Sequence, residues 1–153
     1  MIALAVLGWM IACASPPTPI AGHLLPCPSS NNCVCSEADP ADTEHAIPPL
    51  APPAGHAMPN DALARVRGVI ASMPRATIVG GGVVDLRATF ESRIFGFTDD
   101  VVLRADYAKR VVHVRSASRR GYGDMGVNRA RVEELRRGWD ATFPTPAEPA
   151  APR

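Results

Sequence analysis

At 153 residues the chain has room for one domain, and its sixteen prolines, crowded into Pro16–Pro59 and the tail Pro144–Arg153, leave a smaller packed core than that length allows. The formal net charge of +1 conceals a cluster: from Arg104 to Arg137, ten Lys/Arg stand against four Asp/Glu, and fifteen of the chain's sixteen cations are Arg. Arg carries a planar donor fork suited to carboxylates and phosphates, although a base-composition bias also yields an Arg and Ala excess. Few aromatics and the Glu133-Glu134 pair inside the basic region argue against a nucleic-acid partner.

The chain opens on an apolar run, Met1–Ala14, the length of a signal-peptide core and short of the ~20 residues that span a bilayer as a helix. It ends Met10-Ile11-Ala12-Cys13, which resembles a bacterial lipobox with Cys13 as the acylated residue. Residues 1–13 then form the signal, and the lipid gives a membrane-anchored protein at the periplasmic or cell surface. No Lys or Arg precedes the run, and Met10 stands where Leu is usual. Ala12-Cys13-Ala14 also fits an A-x-A cleavage site, so secretion without an anchor competes, as does a buried N-terminal helix.

Residues 14–59 read as a proline-rich spacer that carries a cysteine loop, CPSSNNCVC, at Cys27–Cys35. In an exported protein the spacing favours a Cys27–Cys33 disulfide with Cys35 spare, because Cys33 and Cys35 would be strained as a pair. A zinc site drawing on the three thiols and His23 or His45 is the rival, but the spacing matches no standard ribbon. No metal and no cofactor are expected.

The domain is expected at residues 60–139. Asn60 or Asp61 caps a helix whose Leu63, Val66, Ile70 and Met73 recur at three- and four-residue intervals, and Pro74 ends it. Ala76–Val79 and Val83–Glu91 form a hairpin around Gly80-Gly81-Gly82, with Val84, Leu86, Ala88 and Phe90 on the dry face. Asp100–Ala105 and Arg110–Ala117 are two further strands turning at Asp106–Lys109, and Val127–Trp139 is a closing helix. The order predicts an α+β two-layer sandwich, a four-stranded antiparallel sheet with both helices on one face and the other face open to solvent, lipid or a partner. Residues 140–153 form a tail.

Three segments in order, CPSSNNCVC, FGFTDDV and RSASRRGYGDMGVNRARVEEL, resemble the signatures of domain-of-unknown-function family 1499, found in exported bacterial proteins and in plants. The resemblance runs from about Leu25 to Leu135 and is densest from Arg115 to Arg131, where Gly121 and Gly126 also fall in the pattern. Cys35 departs from it, since Ser is usual there. The resemblance implies no activity.

Any function is expected at that long motif and the preceding aspartates: Arg115, Ser116, Ser118, Arg119, Tyr122, Asp124, Asn128, Arg129, Arg131, Asp99 and Asp100. Guanidiniums and hydroxyls beside a helix N-terminus suit an anionic small molecule, a lipid headgroup or a protein partner. The competing reading is internal: Asp99, Asp100 and Asp124 neutralise Arg115, Arg119 or Arg129, and Asp124 or Asn128 caps the last helix. A hydrolase would take Asp99 and Asp100 as acid and base and Ser116 or Ser118 as nucleophile, but no G-x-S-x-G or H-E-x-x-H is present, His113 reads as a strand-surface residue, and adjacent aspartates on a strand face opposite ways. An enzyme is therefore the weaker expectation.

Overall fold

The computed structural model describes residues 22–92 and 96–144; Cys13, the signal segment, Phe95 and most of the tail lie outside them. The elements run β1 (Cys33–Cys35), α1 (Ala62–Ser72), β2 (Ala76–Gly81), β3 (Asp85–Glu91), β4 (Thr98–Asp106), β5 (Val111–Ser118) and α2 (Val127–Asp140). The strands make one antiparallel sheet in the order β1-β5-β4-β3-β2.

The α+β class and the antiparallel sheet follow the sequence reading, but the sheet has five strands rather than four. The extra strand, β1, pairs Cys33 with Ala117 and Cys35 with Arg115 along β5. It is three residues long and buried throughout, so it has neither the length nor the alternation by which a strand is read from sequence.

Alternation elsewhere sets the faces. Leu86, Ala88 and Phe90 of β3, Val101 and Leu103 of β4 and Val112 and Val114 of β5 share one core with Val66 and Ile70 of α1 and Val132, Leu135 and Trp139 of α2. Both helices therefore cover one sheet face. Pro74 follows the end of α1, where the Met73 N–H turns back to the Ile70 carbonyl.

The domain begins well before Asn60. Val34, Ile47 and Leu50 belong to the same core, and Leu50 exchanges backbone hydrogen bonds of 2.9 and 2.8 Å with Val112. The proline-rich chain before α1 is packed because its carbonyls find donors on α2. Arg129 donates to the carbonyls of Thr43, Glu44 and Ala46, Arg136 to those of Pro48 and Pro49, and Trp139 Nε1 to that of Ala51 at 2.9 Å. Proline lacks an N–H but keeps its acceptor, so side-chain donors can order such a segment without a ladder.

The second sheet face is also partly covered. Leu24 packs with Cys35 and Val102 there, joined by Cys27 and Ala38, so the part of this face nearest β1 is not open as the sequence suggested.

Candidate functional site

Along β5, Ser116 and Ser118 face the helices while Arg115 and Ala117 face away. Asp99 lies across from Ser118 and Asp100 across from Ala117, which sends the two adjacent aspartates to opposite faces.

On the helix side a buried polar network centres on Asn128, in the first turn of α2 and without solvent exposure. Ser116 Oγ donates to Asn128 Oδ1 at 2.5 Å. Asn128 Nδ2 reaches the Asn32 carbonyl at 3.0 Å, Ser118 Oγ at 3.0 Å and Asp124 Oδ2 at 2.7 Å. One turn later Arg131 donates to Asn128 Oδ1 at 2.8 Å, Ser116 Oγ at 3.1 Å and Asp99 Oδ2 at 2.6 Å, its guanidinium over the Phe90 ring. Ser116 thus uses its donor and an acceptor position internally. Among the described residues neither serine hydroxyl is hydrogen-bonded to a carboxylate or an imidazole, the pairing an activated nucleophile requires.

The N-terminus of α2 is occupied from within. Asp124 accepts the N–H groups of Gly126 and Asn128 on its carboxylate at 2.9 and 2.8 Å and that of Val127 on its backbone carbonyl at 3.1 Å. These are the donors an external anion would use. The geometry needs a left-handed residue at Gly126, φ 80°, which glycine supplies without strain.

The arginines divide by partner. Arg119 makes three hydrogen bonds of 2.8 to 3.1 Å to the Asp100 carboxylate. Arg131, rather than any of the three arginines expected there, takes Asp99, and Arg129 is spent on backbone carbonyls. Arg115 is buried, yet its side chain forms no hydrogen bond or ion pair among the described residues, and its Nε is enclosed without an acceptor. Burial pulls its pKa down, opposed by Cys35 and Asp100.

A further charged cluster lies on the far face, at the opposite end of β4 and β5. Glu37 Oε1 accepts from Arg104 Nε and Nη2, Asp106 stands 3.5 Å from the same guanidinium, and His113 Nδ1 meets Ser36 Oγ at 3.2 Å. Burial alone would push the Glu37 carboxyl up. The hydrogen bonds from Arg104 and the Leu24 N–H, with the charges of Arg104 and His113, outweigh it and hold Glu37 below the ordinary carboxylate range. Burial holds the His113 imidazole below its usual value, and His113 is buried rather than on the surface because residues 36 and 37 lie over it. Sequence gave no signal of this cluster, since Ser36 and Glu37 sit in the stretch read as spacer.

Cys27 and Cys33 form the expected disulfide, with Cα atoms 5.6 Å apart, and Cys35 is a free, buried thiol that burial pushes up in pKa. The zinc alternative thereby loses two of its three thiols. Among the described residues no group of three or more His, Cys, Asp or Glu is placed to hold a metal, and no helix is long and apolar enough to cross a membrane.

What the network leaves exposed is the tip of its own loop. Tyr122 is 92% and Met125 97% exposed, with Arg120 beside them in solvent.

A two-layer α+β domain with a short disulfide loop, an Asn128-centred lock and an exposed loop tip is the class of molecule these features define. The chain belongs to the family described as protein of unknown function (DUF1499), whose pattern it matches over residues 23–138. No curated protein and no solved structure matches it.

Proposed function

We propose that this chain is an exported, lipid-anchored binding module, tethered through Cys13, that meets an anionic partner surface with the loop from Arg119 to Val127. The observation that carries the reading is the division of labour in that loop. Asp124, Asn128 and Arg131 are held by internal partners, while Arg120, Tyr122 and Met125 are presented to solvent. A frame held rigid by its own hydrogen bonds and a tip with one cation and two large side chains is the arrangement of a recognition loop. The Cys27–Cys33 disulfide supports an oxidising compartment. The hydrolase alternative has no such support, because Asp99 and Ser116 are buried and mutually engaged through Arg131.

The test has two arms. Cell fractionation of wild type and Cys13→Ser reads the anchor: the wild type is expected in the membrane fraction and the variant in the soluble one, and equal partitioning removes the lipid. The soluble Cys13→Ser chain is then sedimented with anionic and with zwitterionic vesicles and mixed with a soluble polyphosphate polymer. Binding to an anionic probe that weakens at high salt is expected; indifference to both anionic probes removes the proposed partner class.

A further inference from the structure

Among the described arginines of the motif, Arg115 is the buried one whose side chain meets no hydrogen-bond partner. It lies on the sheet face away from the helices, opposite Val102 on β4 and Cys35 on β1, and is 9% exposed. A buried guanidinium without a counter-charge is unfavourable, and native structures rarely leave such a group unmatched. Its two neighbours, Asp100 and Cys35, favour its charge without bonding to it. Both Asp100 oxygens are taken by Arg119, and Cys35, its thiol pushed up by burial, is neutral at pH 7. The enclosed atoms lacking a partner include Nε of Arg115 but neither terminal nitrogen, so the end of the fork reaches solvent.

The geometry points to an oxyanion site at the guanidinium of Arg115, beside the Asp100–Arg119 pair, that takes the carboxylate or phosphate group of a small ligand. The local balance favours a single negative charge: Asp100 and Arg119 cancel, Cys35 contributes none, and Arg115 is left with one unmatched positive charge. A planar guanidinium fork on a strand paired along both edges matches either group with two parallel hydrogen bonds. The site lies on the opposite sheet face from the Asn128 lock and does not depend on what the loop tip binds.

Thermal melting of the Cys13→Ser chain, wild type at Arg115 against Arg115→Met, tests it in acetate, phosphate or sulfate, with chloride matched for ionic strength. At ten times its Kd, a bound oxyanion is expected to raise the midpoint by about 5 °C. Arg115→Met should melt no lower than the parent in chloride, because an apolar side chain of similar length replaces an unmatched charge, and should lose the response. Comparison of the acetate and phosphate arms identifies the preferred group. The side-chain Nε–Hε resonances of arginine-labelled parent chain provide a reading that needs no variant: the Arg115 signal alone should move on titration. The proposal is overturned if no oxyanion raises the parent midpoint above chloride, if Arg115→Met responds equally, or if the Arg115 resonance stays fixed throughout. Tyr122→Ser should keep the full response, which separates failure here from failure of the loop-tip reading.

Discussion

Asn128 shows how a polar residue can specify a loop. Its amide sits where β5, α2 and the Asn32 carbonyl converge, and each of its hydrogen-bonding groups is used. Truncation would leave Ser116 and Arg131 short of a partner inside the core, and an orphaned buried polar group costs about 1–3 kcal/mol. Asn128→Ala is therefore expected to lose about 3 kcal/mol in denaturant melts, since more than one group is orphaned; a loss below about 1 kcal/mol would mean that water replaces the amide. The sequence offers Asp124 or Asn128 as the cap of the last helix; Asp124 takes that role, and Asn128 turns inward. Spacing alone places both residues at the helix start and does not reveal which one points inward. His113 was misplaced for a related reason: strand alternation sets its face, but not what covers that face. Its lowered pKa has a definite sign. The folded state binds fewer protons than the unfolded chain as pH falls through about 6.5, so stability drops over that interval. His113→Gln should flatten the decline in melting temperature between about pH 7 and pH 5, and a curve parallel to wild type would place the acid sensitivity elsewhere.

The regular elements were legible because they carry a period. Apolar residues at helical spacing gave α1 and α2 to within two residues, and alternation gave β3. Strand β1 has no period to read, and its place depends on β5 offering a free edge. The helix pair carries a tighter constraint than amphipathicity conveys. Gly138 of α2 faces Val69 of α1 so closely that a built Cβ would collide with the Val69 side chain. Alanine normally favours a helix over glycine by about 1 kcal/mol, yet Gly138→Ala is expected to destabilise, because a β-branched valine has few rotamers with which to retreat. Combining it with Val69→Ala should recover the loss. If Gly138→Ala alone is as stable as wild type, the helices are free to separate and the close crossing is not a constraint.

Across the whole molecule the excess of arginine finds a structural use that composition could not reveal. Arg129 and Arg136 turn a proline-rich stretch, which the sequence presents as spacer, into part of the domain by supplying donors to its carbonyls. The folded unit therefore takes in Leu24, Val34, Ile47 and Leu50, well before Asn60. Proline content alone marks chain that cannot form a ladder; whether such chain is free depends on donors distant in sequence. The long Arg115–Arg131 motif then separates into a frame, a tip and the unmatched Arg115. The separation of frame from tip is the central claim, and one paired measurement reaches it: binding to anionic vesicles or polyphosphate, and thermal melting, for the Cys13→Ser chain, its Arg120→Ser/Tyr122→Ser double variant and its Asn128→Ala variant. The account predicts that the tip variant melts with its parent and loses binding, while Asn128→Ala melts well below it. A tip variant that binds as its parent does, or an Asn128→Ala chain that melts with it, would contradict the assignment of frame and tip.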